Sequence, residues 1–196
     1  MRRLLLILIL AFGFQTLIKA DDISDFEIEG ISVEDSALDF LTKEFIKSET
    51  SVHGFYKDNK YFEITYDSKD SNYENISLTF KNNDKKYIIY QLAGTISHDD
   101  INECLVQKKN VATKLSKVFL DADRVDAGKR NYSADPTGKS KSYIEYFWIK
   151  SGGFIEVGCY DLTKELSDEK NWLKTSLNVG IVTEEFSDFL INEQYK

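Results

Sequence analysis

Two trios of strand-like runs, most of them joined by connections too short to hold a helix, constrain this chain more than any other feature. The first trio occupies 60–66, 73–81 and 87–97, the second 143–150, 154–160 and 172–181. Loops such as 67–72, 82–84 and 151–153 cannot carry a crossover, so neighbouring runs must pair antiparallel. Each trio leads into a helical pattern. After the first, residues 99–120 put Ile101, Cys104, Leu105, Val111, Ala112, Leu115, Val118 and Phe119 on one side, with Asp99 and Asp100 at the positive end of the helix dipole. After the second, a helix starts beyond Thr183 with Phe186, Phe189 and Leu190 as its apolar stripe. A further helix is expected over 33–47, where Ser32 and Asp35 stand at capping-box spacing ahead of Leu38, Leu41, Phe45 and Ile46.

The fold class is therefore α+β: an antiparallel sheet of about six strands in two three-strand meanders, with helices packed on one face in the order α-βββ-α-βββ-α. The polar stretch 121–142 has no apolar period and reads as the longest loop. The junctions 91–101 and 176–186 resemble each other, as a duplicated unit or two independent helix starts would.

Strand alternation then assigns faces. In the first meander Ile76, Leu78, Phe80, Ile88, Tyr90, Leu92 and Ile96 are expected beneath the helices, leaving Tyr73, Asn75, Ser77, Thr79, Tyr87, Ile89 and Gln91 outside. In the second, Tyr143, Phe147, Phe154, Tyr160 and Trp172 are expected on the outer face, beside Lys174, Ser176 and Asn178. Aromatic bodies with polar tips suit a contact surface, because they bury area at small entropic cost.

Residues 1–20 carry Arg2 and Arg3, an apolar run from Leu4 to Phe14 and the small-residue end Ile18-Lys19-Ala20. This is the order of a cleavable secretory signal, followed by one domain over 21–196. An apolar run of that length is too short to span a bilayer, so no stable membrane insertion is expected after cleavage. Loss of Arg2, Arg3 and Lys19 takes the net charge from −8 to −11. Such a balance disfavours nucleic acid and anionic lipid as partners. Lys outnumbers Arg 21 to 4, the usage of an AT-rich bacterial genome, and the expected destination is the periplasm. In that oxidising compartment the two cysteines, Cys104 and Cys159, read as a disulfide, since both project into the helix-sheet core by periodicity.

No motif proposes chemistry. His53 and His98 lack an adjacent nucleophile pattern, and no Gly-x-Ser-x-Gly is present. The segment Asp135-Pro136-Thr137-Gly138-Lys139-Ser140 has Ser133 where a phosphate-binding loop needs its first glycine. The acidic set Asp121, Asp123, Asp126 lacks the glycine and terminal glutamate of a calcium loop, and the set Asp70, Asn72, Glu74 is too short for one. Glu145 and Glu156, if on one face, would form a carboxylate pair of the glycosidase kind. No cofactor and no metal are expected. The leading expectation is a non-catalytic binding module using the aromatic outer face for an unknown protein or small ligand. The alternative is a hydrolase using His53 or His98 with a nearby carboxylate or serine.

The opening 22–32, the run Asp35-Ser36-Ala37-Leu38-Asp39-Phe40, Lys85-Lys86-Tyr87-Ile88-Ile89, Leu92-Ala93-Gly94, Cys159-Tyr160-Asp161 and Asp188-Phe189-Leu190 carry a resemblance over most of the mature length. They resemble small uncharacterised exported proteins of marine alphaproteobacteria. The resemblance implies a periplasmic location and a shared cysteine pair, and it carries no activity.

Overall fold

The computed structural model describes residues 22–53, 56–68, 72–170 and 175–194. The expected signal segment 1–20 and Trp172 lie outside the described residues. Among the described residues seven strands make one antiparallel sheet: β1 (Tyr61–Asp67), β2 (Asn75–Lys81), β3 (Ile89–Ser97), β4 (Asp123–Asn131), β5 (Lys141–Trp148), β6 (Phe154–Asp161) and β7 (Thr175–Val182), in the order β1-β2-β3-β7-β6-β5-β4. The two meanders meet where β3 pairs antiparallel with β7, from Gln91 opposite Val182 to Ser97 opposite Ser176.

The strand beyond the expected six is β4, drawn from the segment read as a loop. It is an edge strand paired with β5, and Asp123, Arg124, Val125 and Asp126 at its start are exposed. With little to bury, it shows no apolar alternation, and its charges shield an edge that would otherwise recruit another strand. A bulge between Asp126 and Gly128 breaks its register, with Gly128 at φ 64° and its N–H donating to Asp126 Oδ1 at 2.9 Å.

The α-helices among the described residues are α1 (Lys43–His53), α2 (Ile101–Val118), α3 (Lys164–Lys170) and α4 (Glu184–Phe189), the last running into a π turn, Leu190–Gln194. Asp100 caps α2, accepting from the N–H groups of Asn102 and Glu103. Thr183 caps α4 by accepting from Phe186. The first helix begins ten residues later than its apolar spacing predicts. Glu34 sits at φ 70°, and the backbone around it is bound to the entrance of β3 through Glu34 N to Ile89 O, Ile89 N to Asp35 O and Ala37 N to Tyr87 O. Those bonds hold 33–42 as turns and a 3-10 segment, Ala37–Asp39, outcompeting a helix there.

The main core lies between the sheet and the N-terminal segment, α1 and α2, with Ile46, Ile64, Ile76, Leu78, Phe80, Leu92, Ala112, Ile155, Val157 and Ile181 buried in it. Cys104 and Cys159, both fully buried, form a disulfide there with Cα atoms 6.0 Å apart, tying α2 to β6. A second cluster lies on the opposite face, where Phe186 and Phe189 of α4 pack on Tyr61, Phe154 and Val182. The helices are therefore not confined to one face. A twofold duplication across an antiparallel β3-β7 pair would keep α4 on the face of α2, and it does not lie there.

Candidate functional site

Cross-strand register resolves the outer face into rows. One row runs Tyr146 (β5), Glu156 (β6), Gly180 (β7), Ala93 (β3), Ser77 (β2) and Thr65 (β1). The next row toward α4 holds Trp148, Phe154, Val182 and Gln91, and the next row away holds Ile144, Gly158, Asn178 and Thr95. The centre of this face is built of small residues and carries a polar ladder. Asn178 donates to Thr95 Oγ1 at 3.2 Å, and the Thr65 and Ser77 hydroxyls bond at 2.8 Å. Thr65, Ser77, Thr95 and Asn178 remain half-buried there. The α4 aromatics close one end, and Tyr146, Trp148 and Phe154 form an aromatic wall on the β5-β6 side, Tyr146 edge-on to Phe154 at 5.5 Å.

Several expected site residues move. Phe147 is 1 % exposed in the main core beneath the helices, with the Arg124 guanidinium 5.7 Å from its ring centre. Tyr143 shares that side. Phe154 and Tyr160 do lie on the outer face, Phe154 buried against Trp148 at 5.0 Å and Tyr160 half-buried. The error is one of parity. The connection between β5 and β6 spans 149–153, closed by Gly152 N to Ile149 O and Ile149 N to Gly153 O, so Trp148 faces Phe154 and Phe147 faces Ile155. The same register puts Glu145 and Glu156 on opposite faces, which removes the glycosidase-like pair. In the first meander a bulge pairs Phe80 with Ile89 directly after Thr79 with Gln91, so Ile89 turns inward, fully buried, and Tyr90 joins the outer cluster.

Sequence reasoning missed Tyr132, Tyr146 and Glu156 as members of one arrangement. The Tyr160 ring lies over Gly158, where a Cβ would stand 3.1 Å from it, and its hydroxyl donates to Glu156 Oε1 at 2.5 Å. Tyr132 meets Tyr160 edge-on at 5.7 Å. Burial raises the Glu156 carboxyl above its ordinary range, and the Tyr160 bond opposes that rise. Burial, the Glu156 charge and the Tyr146 and Tyr132 hydroxyls hold Tyr160 well above the usual phenol value. Such perturbed groups are candidates for a functional site, and structural networks perturb them in the same way.

The remaining candidates are internally satisfied or incomplete. Asp135 accepts from Thr137 N, Thr137 Oγ1 and Ser140 N, which depress its pKa and make the phosphate-loop-like segment a closed turn. A groove beside α4 is spanned by Lys81 to Glu185 at 2.6 Å and by Lys60 to Glu193. His98 lies where β3 enters α2, near Asp99, Glu103 and Thr175, and its Nε2 is buried without a hydrogen-bond partner among the described residues. The side chain of His53 lies outside the described residues. Among the described residues no group of three or more His, Cys, Asp or Glu is placed to hold a metal ion, and no helix is long and apolar enough to cross a membrane. In comparison with known proteins, no family model, no curated protein and no solved structure matches this chain.

Proposed function

We propose that the protein is a non-catalytic binding module, exported to the periplasm by its first twenty residues, whose outer sheet face takes up a ligand or partner. The observation that carries this reading is the contrast between the faces. One is filled by α1, α2 and the N-terminal segment, whereas the other presents half-buried Thr95, Asn178, Glu156, Tyr146 and Tyr160 around a floor of Ala93, Gly158 and Gly180. Half-buried aromatic, amide and hydroxyl side chains side by side on one sheet face supply apolar area together with polar groups able to orient a partner laid across them. The Cys104–Cys159 disulfide supports an oxidising compartment.

The test compares Thr95→Arg, which places a long charged side chain over the floor, with Lys109→Glu on the exposed surface of α2. Both variants should keep the native circular dichroism spectrum. Capture of a periplasmic partner, scored by mass spectrometry, should be lost in Thr95→Arg and kept in Lys109→Glu. Retention by a folded Thr95→Arg protein would overturn the reading.

A further inference from the structure

Charge is unevenly spread over this chain. It carries −8 overall, yet a cavity of about 330 Å³ beside α1 is lined by Lys43, Lys47 and Lys85 against a single carboxylate, Asp84. That carboxylate is already engaged, Oδ1 accepting the Lys86 N–H at 2.9 Å and Oδ2 the Ile88 N–H at 3.0 Å. Among the described residues Lys43, Lys47 and Lys85 form no ion pair. Lys43 and Lys47 stand one turn apart on α1 and share a helix face. Lys85 comes from the connection between β2 and β3, whose course is fixed on both sides. Asn83 and Tyr87 take left-handed φ values of 66° and 50°, Ser36 Oγ donates to Lys86 O at 2.7 Å, and Ala37 N donates to Tyr87 O at 2.9 Å.

We propose that this cavity binds a phosphate monoester, its dianionic phosphoryl group lying among the ammonium groups of Lys43, Lys47 and Lys85. Like charges gathered around one opening repel one another, and an entering dianion replaces that repulsion by attraction to each of them. The donor set selects a phosphoryl group over a carboxylate. A planar carboxylate is matched by the planar fork of arginine, which the lining lacks, whereas lysine is a compact point charge with rotatable donors that suits acceptor oxygens spread over a tetrahedron. The side-chain amides of Asn82 and Asn83 add neutral donors, and Phe62 and Tyr87 give an apolar wall for a small organic remainder. At about 0.15 M salt, charges more than roughly 8 Å away are largely screened, so the lysines at contact outweigh the negative total. Phe62 and Tyr87 belong to the main core, on the side of the sheet that α1 covers, so the inference is independent of the outer-face reading. The same phosphoryl group is offered by a small soluble ester and by the headgroup of phosphatidic acid.

Phenyl phosphate, its monoanionic methyl ester and the planar dianion succinate are titrated calorimetrically into the protein, with the Phe62 and Tyr87 ring resonances reporting where each binds. Phosphatidylcholine vesicles with and without phosphatidic acid form a parallel arm. Phenyl phosphate should shift both rings and bind several-fold more tightly than the methyl ester or succinate. Lys47→Ser and Lys85→Ser stand at exposed positions and should keep the native circular dichroism spectrum. Each should weaken binding about tenfold. Lys109→Ser removes the same charge from the exposed surface of α2 and should leave the affinity unchanged. Binding of phenyl phosphate in solution places the ester in a small soluble molecule. Capture only by phosphatidic-acid vesicles, lost in the same two variants, places it in a lipid headgroup. Succinate bound as tightly as phenyl phosphate, affinity unchanged in both folded lysine variants, or no response to phenyl phosphate at millimolar concentration together with no vesicle capture would each overturn the inference.

Discussion

Tyr160 reaches back along its own strand, over Gly158, to hydrogen-bond Glu156. That contact turns two residues of one strand face into a single polar unit set among tyrosines, and the glycine between them is what lets the ring lie flat. A Cβ at 158 would stand 3.1 Å from the ring, which would have to give by a few tenths of an ångström to make room.

The pH dependence of stability follows from the same pair. Because burial raises the folded carboxyl of Glu156 above its unfolded value, the folded state holds that proton more tightly. Its contribution is fully present below the unfolded value, near pH 4, and is lost as pH rises through the raised folded value. Glu156→Gln keeps an acceptor for Tyr160 without a charge. The variant should therefore melt above the wild type at pH 7, with the difference shrinking toward zero near pH 4. Asp135, whose pKa is depressed by its turn, acts in the opposite direction in both proteins and cancels from the comparison. Thermal melts of the two proteins across that range check the sign, and a wild type that outlasts the variant at pH 7 would contradict it.

Phe147 and Tyr146 are adjacent in sequence and should behave as opposites. Phe147, 1 % exposed in the main core, leaves a cavity when truncated, so Phe147→Ala should cost about 3 to 5 kcal/mol. Tyr146 is half-buried at the rim of the outer cluster, and Tyr146→Ala should cost clearly less. Urea unfolding midpoints for the two variants measure the difference directly.

What the sequence made legible was whatever depends on pattern alone: antiparallel pairing, the α2 stripe, the helix start after Thr183 and the Cys104–Cys159 bridge. What it hid depends on single-residue register. The bulge at Phe80 and Ile89 reverses the alternation of the first meander, and in the second a connection of odd length pairs odd positions with odd, so Phe147 cannot share a face with Phe154; face assignments failed for Tyr90, Ile89 and Phe147 on those two counts. Strand β4 was invisible because an edge strand with little to bury has no hydrophobic period. The Glu156 arrangement was hidden twice over, by the parity error and because Tyr132 comes from beyond β4, in the stretch read as a loop.

The buried pair of Glu145 and Lys108, with Arg124 at its edge, offers a test of its own. Lys108 and Glu145 have side chains 10 % and 5 % exposed, whereas Arg124 is 49 % exposed. Removing Glu145 leaves the Lys108 ammonium buried without its carboxylate, so Glu145→Ala should destabilise by about 3 to 5 kcal/mol. The double variant Lys108→Met, Glu145→Leu replaces the pair by apolar volume and should recover most of that loss, a non-additivity that chemical denaturation of the single and double variants would expose.

The last expectation concerns the cross-link. Cys104 on α2 and Cys159 on β6 are 55 residues apart in sequence, and the segment between them contains β4, β5 and the connection to β6. Closing a loop of that length removes unfolded-state entropy worth about 4 kcal/mol. Cys104→Ala with Cys159→Ala should lower the urea midpoint by a corresponding amount, and the wild type should match the variant once reduced. The loss should not be confined to α2. The bridge sits at the junction of helix and sheet among Leu177 and Val157, so its effect is spread over the unit that packs there. The thiol content of denatured, unreduced protein should be zero. A full complement of two free thiols, or a variant as stable as the oxidised wild type, would show that packing alone holds α2 against β6.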